Sequence, residues 1–410
     1  MQDQDHIPHL FRTEYRKIIS VLCKHFGFEH LETAEDLVSD TFLLAAETWG
    51  LKGLPKNPTG WLYTVARNKM LDVIRREKLF NEKIAPTIKQ EQTSFQETAI
   101  DWSAQNINDS QLQMMFAICT PAISAESQIG LALSILCGFG TEEIADAFLS
   151  GKDTIYKRLS RAKEKLRAEK IKIEFPSNTE IHLRLENVLT TLYLLFSEGY
   201  YSTSQNTILR KELCVEAMRL TLMLTENEFT NMPSVNALLS LMCFHASRFD
   251  ARINPNGEIV LYEEQDEKLW NQELIAKGEM YLTRASKGKR LSKYHLEAAI
   301  AYWHTQKTDS VEKWENILQL YNRLLQLEYS PMAALNRTYA LSKANGKTEA
   351  IKEAEKLNLD DNHLYHTLLG NLYQEVDIQK ALDHLRRALS LAKTAADKAI
   401  ISSSISRLSN

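Results

Sequence analysis

The sequence is poor in the residues that interrupt helices. Its 410 residues include 14 glycines and 9 prolines, each less than about half the usual frequency. Helix-favouring leucine, alanine, glutamate and lysine are abundant. The chain also lacks any apolar run near the roughly 20 residues that span a bilayer. We therefore predict an all-α protein with no membrane contact.

Other absences limit the chemistry. The sequence has no glycine-rich phosphate loop, no Gly-x-Ser-x-Gly nucleophile and no His-Glu-x-x-His zinc motif. The N-terminal residues contain no apolar segment of the kind found in secretory signals. The five cysteines are odd in number and form no Cys-x-x-Cys pair, which predicts free thiols in a reducing compartment. We expect a cytoplasmic protein that is not an enzyme, with no cofactor and no metal site.

The chain divides into helical blocks. Residues 8–83 and 111–173 are two such blocks, and the polar segment 84–110 between them reads as a flexible linker. After a short break, residues 180–410 are helical again. The one interruption there, residues 250–262, is predicted to be a loop or small hairpin.

A weak repeat lies near the C-terminus, where ALNRTYALSK (334–343) aligns with LLGNLYQEVD (368–377) at an offset of 34 residues. The aligned pairs are Leu335 with Leu369, Asn336 with Gly370, Tyr339 with Tyr373, and, with a shorter offset, Ala350 with Ala381. This period is typical of tetratricopeptide helix pairs. Because one pair cannot cover its own apolar face, neighbouring pairs stack and form a groove. We expect this groove to bind a protein or peptide.

One short segment is strongly basic although the whole chain has a formal net charge of −4. From Lys152 to Lys172 the sequence has nine lysine and arginine residues and only three aspartate and glutamate residues. At about 100° per residue, one side of this helix is apolar and the other is polar and basic. The apolar side holds Ile155, Leu159, Ala162 and Leu166, and the far side holds Thr154, Lys157, Arg158, Arg161 and Lys165.

A shorter amphipathic segment, GFGTEEIADAFLSGKD, precedes this helix and ends in a break at Ser150–Gly151. A short helix, a turn and a longer basic helix follow the helix-turn-helix plan, in which the second helix enters the major groove. The alternative is an ordinary solvated helix face. The local excess of positive charge favours a polyanionic partner, so we predict DNA binding.

The N-terminal block carries two further amphipathic segments. In AEDLVSDTFLLAAETW (34–49), the acidic residues Asp36, Asp40 and Glu47 lie opposite an apolar stripe formed by Val38, Phe42, Ala45 and Trp49. An acidic stripe suits the basic surface of a partner protein, and ordinary solvation is the alternative.

Next, the loop GLKGLPKNPTG (50–60), with its glycines and prolines, cannot be regular helix. It leads into WLYTVARNKMLDVIRRE (61–77), where Asn68, Asp72 and Arg75 share a face. A loop and helix of this kind could hold single-stranded nucleic acid. We expect Trp61 to be a core residue rather than a stacking platform for bases.

Taken in order, these segments resemble a bacterial RNA polymerase sigma factor of the extracytoplasmic-function group of the sigma-70 family. Residues 34–49 resemble the region 2.1–2.2 helix, residues 60–77 resemble regions 2.3–2.4, and TEEIADAFLSGKDTIYKRLSRAKEKLR (141–167) resembles region 4.2. Four later segments are similar to the tetratricopeptide-like extension that replaces an anti-sigma partner in one subgroup: VLTTLYLLFSEGYYST, LMCFHASRFDAR, YHLEAAIAYWHT and SPMAALNRTYAL.

The resemblance implies three binding surfaces and two partners, core RNA polymerase and promoter DNA. Core polymerase would contact Asp36, Leu37, Val38, Asp40 and Phe42. We expect the Phe42 side chain to be partly buried in the hydrophobic core of the protein. The −10 element would meet Lys52, Lys56, Asn57, Arg67, Asn68, Asp72, Arg75 and Arg76, of which the first three lie in a loop that captures a flipped base. The −35 element would meet Thr154, Tyr156, Lys157, Arg158 and Arg161.

Two positions depart from the family pattern. Ser39-Asp40 stands where most of the group has Gln-Glu, which gives a shorter polar pair, and Leu149 stands in a turn that usually carries glycine. The extended subgroup also has leucine at the latter position.

The sequence therefore predicts a sigma factor that directs core polymerase to promoters, with a C-terminal extension of regulatory role. A helix-turn-helix regulator with a tetratricopeptide-like sensor is the alternative, and a pure scaffold is a third reading. The segments at 34–49 and 61–77 favour the sigma factor, since neither alternative requires them.

Overall fold

The computed structural model of the protein describes residues 6–84, 100–148, 150–177, 179–201, 207–252, 260 and 262–409. Within these ranges every regular element is a helix, so the all-α prediction is confirmed. None of the helices described there has the length and apolar character of a membrane span. The chain forms two compact units, Met1–Leu224 and Thr225–Asn410.

The first unit contains helices α1 to α9 and one π-helical turn. Their bounds are α1 His6–Phe26, α2 Leu31–Lys52, α3 Pro58–Ile84, α4 Ala104–Ile118, α5 Ala125–Leu131, the π-helical turn Ala132–Cys137, α6 Thr141–Ala147, α7 Lys152–Ala168, α8 Ile181–Tyr201 and α9 Thr207–Glu226. This unit therefore includes both predicted sigma blocks together with the first two helices that follow residue 180. The predicted boundary at 173–180 is a break between helices and does not separate compact units.

The predicted linker is partly helical. Helix α4 begins at Ala104, so the last seven residues of segment 84–110 belong to a helix, while residues 85–99 lie outside the described part. Ser103 caps α4 by accepting a hydrogen bond from the Asn106 amide. The helix packs against α1, and three of its apolar side chains, Met114, Met115 and Ile118, are fully buried. The two blocks thus share a core.

Helix α8 joins the same unit through polar contacts as well as apolar ones. The Arg184 guanidinium donates to the Phe116 carbonyl at 2.7 Å. Thr191 donates to the side-chain oxygen of the buried Gln128 at 2.9 Å, and the Gln128 amide donates in turn to the carbonyls of Thr120 and Ile123. Because buried polar groups are costly when unpaired, this satisfied set fixes α8 against α5.

Among its described residues, the second unit is a run of nine α-helices, most of which pack mainly on their neighbours in sequence, while α12 packs most extensively on α10. Their bounds are α10 Pro233–Ala246, α11 Gln272–Ala285, α12 Lys293–Trp303, α13 Val311–Leu327, α14 Pro331–Asn345, α15 Lys347–Glu355, α16 His363–Tyr373, α17 Ile378–Leu391 and α18 Ala395–Ser409. A continuous apolar core runs from α12 to α17.

Both copies of the 34-residue repeat are helix pairs, α14–α15 and α16–α17. The aligned residues Leu335 and Leu369 are buried, as are Ala350 and Ala381. The glycine at position 370 has a physical reason, because a Cβ there would lie 2.7 Å from Leu385 Cγ. The close approach of α16 and α17 therefore requires glycine.

The predicted interruption at 250–262 contains short 3-10 turns at Phe249–Ala251 and Tyr262–Glu264. The loop or hairpin predicted between them falls mostly on residues 253–259 and 261, which lie outside the described residues.

Candidate functional site

Helix α7 has the two-sided character that its sequence predicts. Ile155, Leu159, Ala162 and Leu166 are all buried. On the polar side, α7 and the start of α5 enclose an open groove of about 670 Å³. Its polar lining comprises Ser124, Glu126, Ser127, Thr154, Lys157, Arg158, Arg161 and Lys165. The short helix α6 precedes α7 in the order that the helix-turn-helix prediction requires, and Leu149 of the intervening turn lies outside the described residues.

The groove carries unpaired positive charge. Of the nine cations between residues 152 and 172, Lys152, Lys163 and Arg167 have carboxylate partners. Lys157, Arg158, Arg161 and Lys165, which line the groove, form no ion pair within the described part of the chain. Cations without a protein partner at the edge of an accessible groove suit phosphate oxygens.

One acidic residue shares the groove. Hydrogen bonds from its own backbone N–H and from the Ser124 side chain, together with the charge of Arg158, hold the pKa of Glu126 below its usual value. Glu126 is therefore ionised at neutral pH and offsets part of the positive charge.

The predicted −35 residues are not all in this groove. Thr154, Lys157, Arg158 and Arg161 line it, but Tyr156 does not, although its side chain is 65% exposed. Lys165 lines the groove and was absent from the predicted −35 set. Its place on the polar side of the helical wheel was the signal that could have added it.

The other edge of α7 is fixed to α2. Lys163 forms an ion pair with Glu35 at 2.6 Å, with side chains only 12% and 21% exposed. Arg167 forms a second pair with Glu32 at 2.9 Å. The helix of the second block is thus attached to the start of the helix that carries the predicted polymerase contacts.

On α2, the predicted polymerase residues fall into two groups. Asp36 and Asp40 are exposed and Leu37 is half-buried. Val38 is fully buried and Phe42 is 4% exposed, with the Phe42 ring packed edge-on against Phe11. In this conformation Val38 and Phe42 support the helix from the core, and their side chains offer no contact surface.

The exposed face of α2 also contains leucines that the sequence reading missed. Leu43 is 61% exposed and follows Asp36 by seven positions, so it lies between the acidic side chains on the same face. Leu44 and Leu51 are exposed nearby on the same helix. An exposed apolar group bordered by acids is typical of a protein-binding surface, and the helical wheel was sufficient to find it.

The loop after α2 is shorter than predicted. Helix α2 continues through Lys52 and α3 starts at Pro58, so only residues 53–57 are non-helical. Gly53 ends α2 with a φ of 78°, which favours glycine. Lys52 and Lys56 are exposed. Asn57 accepts a hydrogen bond from the Gly60 amide at 2.9 Å, which caps α3.

The predicted −10 face of α3 is exposed, as its pattern implies. Asn68, Asp72, Arg75 and Arg76 are exposed and Arg67 is half-buried. Asp72 pairs with Arg75 at 3.8 Å, and Lys69 pairs with Asp40 of α2 at 3.8 Å. Trp61 is half-buried and packs edge-on against Trp49, with ring centres 5.4 Å apart.

A charged contact, here called the Glu216 junction, joins three parts of the first unit. Glu216 of α9 accepts from Arg16 of α1 at 2.9 Å and from Arg219 at 2.8 Å. Arg16 also donates to the Cys137 carbonyl and Arg219 to the Leu136 carbonyl, at the end of the π-helical turn. Burial first, and then the charge of Arg219, lower the pKa of Arg16. One carboxylate therefore holds two arginines that would otherwise repel each other.

Comparisons with known proteins agree with the helical N-terminal block. The family model for Sigma-70 region 2 matches residues 10–80, which run from α1 into α3. A model for a family of unknown function (DUF6596) matches residues 184–286. No solved structure gives a significant match.

Two curated proteins are similar to the chain. The RNA polymerase sigma factor YlaC of Bacillus subtilis is 35% identical over 79 residues, which are 19% of this chain and 43% of YlaC. Uncharacterized protein R00370 of Rhizobium meliloti is 32% identical over 385 residues, which are 91% of this chain and 89% of that protein.

The Sigma-70 region 2 match covers most of helices α1 to α3 and no later helix. The chain belongs to the same family as the Rhizobium meliloti protein, to which it is similar over almost its whole length, and its N-terminal part matches Sigma-70 region 2.

Proposed function

We propose that the protein is a sigma factor that directs core RNA polymerase to specific promoters and acts in the cytoplasm. The observation that carries this proposal is the groove of α7, in a chain that also contains region 2. Four cations of the groove have no carboxylate partner among the residues that the structure describes. A helix-turn-helix regulator would need the groove of α7 to bind DNA, but it would not need region 2. The exposed acidic and leucine face of α2 gives a reason for region 2 to be present.

In this proposal the chain performs no covalent chemistry and is not an enzyme. The exposed face of α2 binds polymerase, the polar face of α3 binds the −10 element, and α7 binds the −35 element through phosphates and base edges. Binding energy at the −10 element supports strand separation, since extrusion of a base costs a few kcal/mol of stacking. Polymerase supplies the catalytic metal.

We assign the protein to the extracytoplasmic-function group with a tetratricopeptide-like extension. Two repeated helix pairs with matching buried positions and the packing of neighbouring helices in the second unit support that assignment. The groove of such an array would bind a protein or peptide partner.

We further propose that the residues after 180 regulate the sigma blocks through direct contact. The Glu216 junction supports this, because α9 binds α1 of the first block and the π-helical turn of the second block at once. Removal of α8 and α9 would also expose apolar surface of the first unit, so truncation near residue 175 would disturb folding as well as regulation.

The test of the sigma assignment is reconstitution with core polymerase, followed by genome-wide mapping of the transcripts that start. Co-purification with polymerase and promoter-directed starts are expected. The double variant Lys157→Ala/Arg161→Ala should keep polymerase binding and lose promoter-directed starts. A protein that binds promoter DNA but never joins polymerase would contradict the proposal in favour of a regulator.

Regulation is tested with a single substitution in α9. Run-off transcription by Glu216→Gln is compared with Glu212→Gln, one turn earlier on the same helix, where no ion pair forms within the described residues. A change that appears only in Glu216→Gln is expected. Unchanged transcription and stability in Glu216→Gln would argue against a regulatory contact.

A further inference from the structure

The second unit contains a group of buried cations around one aromatic ring, here called the Tyr262 cluster: Arg248, Tyr262, Trp270, His304 and Lys313. Arg248 lies just after the end of α10 and is 8% exposed. Its guanidinium carbon lies 5.5 Å from the centre of the Tyr262 ring. Lys313, in the first turn of α13, is 2% exposed and donates to the Tyr262 hydroxyl at 3.0 Å. Two cations are thus almost completely withdrawn from water.

Neither of these two cations has an anionic partner among the described residues. The acceptors of Lys313 are neutral, namely the Tyr262 hydroxyl and the Gln306 carbonyl. The nearby carboxylates of Glu263 and Asp309 are within ion-pair distance of Lys343. Within the described part of the chain, no carboxylate lies within ion-pair distance of Arg248 or Lys313.

Three buried nitrogens of the same cluster have no hydrogen-bond partner in the part of the chain that the structure describes. They are Arg248 Nε, Trp270 Nε1 and His304 Nδ1. Each of the three side chains packs against Tyr262, since the Trp270 and His304 rings lie 6.3 and 5.2 Å from the Tyr262 ring centre. Buried donors are normally paired, so several unpaired ones around a single ring indicate a missing acceptor.

The electrostatic environment agrees with a missing anion. Burial, followed by the charges of Arg248 and Lys313, lowers the pKa of His304 to about 3. Burial likewise lowers the pKa of Lys313, and the carboxylate of Asp309 offsets that effect only in part. Uncompensated charge of this kind is strongly unfavourable in a protein interior.

We propose that the Tyr262 cluster binds the oxyanion group of a small ligand, a carboxylate or a phosphate, through Arg248, Lys313 and the unpaired ring nitrogens. The aromatic rings of Tyr262 and Trp270 would contact the rest of the ligand. This proposal concerns the second unit alone and does not depend on the sigma-factor assignment, because its test measures binding and no transcription.

The test uses the full-length protein and two probes, inorganic phosphate and acetate, each titrated against sodium chloride of equal ionic strength. Tryptophan fluorescence is the readout, since Trp270 and Trp314 lie beside the site, together with thermal unfolding of the second unit. A saturable response to one probe is expected. At about 100 times the dissociation constant, linkage predicts a rise in Tm of about 5–10 °C. Phosphate alone or acetate alone would identify the group that the site selects.

The variant Arg248→Met gives the sharpest result, because it keeps an apolar stem and removes the unpaired charge. Without added anion its Tm should equal or exceed that of the unaltered protein, and the response to the probe should be lost. Lys313→Met should also lose the response, which covers the case in which one variant folds poorly. Lys277→Met, at an exposed pair with Glu273, should keep it. The proposal is overturned if neither probe exceeds chloride, or if both cluster variants respond as the unaltered protein does.

Discussion

The Glu216 junction yields a quantitative prediction about the first unit. Replacement of Glu216 by alanine removes the acceptor that two guanidinium groups share, at 2.9 and 2.8 Å. The side chains of Arg16 and Glu216 are only 12% and 16% exposed. Both arginines keep one backbone carbonyl acceptor, but their mutual repulsion is no longer offset.

The magnitude follows from the burial of the pair. Loss of one partner of a buried ion pair costs about 3–5 kcal/mol. The carbonyl acceptors that remain, and the 29% exposure of Arg219, place this case at the lower limit, about 3 kcal/mol. For a unit of this size that corresponds to a decrease in Tm of about 6–12 °C.

Differential scanning calorimetry should give separate transitions for the two units, and hydrogen exchange should locate the effect of the substitution. Glu216→Ala should lower the transition of the first unit, leave the second unchanged, and speed exchange in α1 and in the π-helical turn. The Tm of the first unit in Glu216→Gln, which retains an acceptor oxygen, should lie between the values for the unaltered protein and for Glu216→Ala. Glu212→Gln is the matched control. A Tm decrease below about 2 °C for Glu216→Ala would refute the reasoning, because it would mean that the arginines are solvated in the folded protein.

Three further predictions follow from particular contacts. Arg161→Ala should reduce the slope of the logarithm of the promoter-binding constant against the logarithm of the salt concentration by about 0.9. The control Lys277→Ala, which removes one positive charge elsewhere, should leave the slope unchanged. Equal slopes in both variants would contradict phosphate binding in the groove. Glu126→Gln should tighten DNA binding about two- to fivefold at low salt, because it removes a carboxylate that lines the groove. Filter binding measures the affinity, and an unchanged or weaker affinity would contradict the prediction. Gly370→Ala should destabilise the second unit by about 1–3 kcal/mol in urea unfolding, because the new Cβ would lie 2.7 Å from Leu385 Cγ. The control Gly50→Ala, which has open space around it, should not destabilise the first unit. If Gly370→Ala is as stable as the unaltered protein, α16 and α17 can move apart without cost.

Periodicity predicted the local structure well. The apolar stripes of α2 and α7 are buried residue for residue, because a period of 3.6 records which side of a helix faces the core. The same pattern placed the basic groove residues and the exposed face of α3. Pattern alone does not decide function, however. Val38 and Phe42 belong to the predicted polymerase-contact set, and both side chains are buried in this conformation.

Long-range pairing was not predictable from a single sequence. Lys163 and Glu35 are 128 positions apart, and Arg16 and Glu216 are 200 apart. No local pattern distinguishes these residues from other surface charges. The second half of α4 lies in the helical block predicted from residue 111, but its start was assigned to the linker. The reason is different here, since Gln105 and Asn106 make the first turn largely polar and the buried side chains begin only at Ile107.

The packing of the two sigma blocks changes what the linker is expected to do. If the linker alone connected them, its length would set the range of spacings between the two promoter elements. Here α4 shares a core with α1, and α7 is paired to α2 through Lys163 and Arg167. The groove of α7 and the acidic face of α2 nevertheless both remain exposed. In this arrangement packing fixes the distance between the two proposed DNA-binding surfaces, the groove of α7 and the polar face of α3. If the protein binds promoters as proposed, a promoter with a different spacing requires that these ion pairs and the Glu216 junction break. The free energy of those contacts then becomes part of the affinity for that promoter.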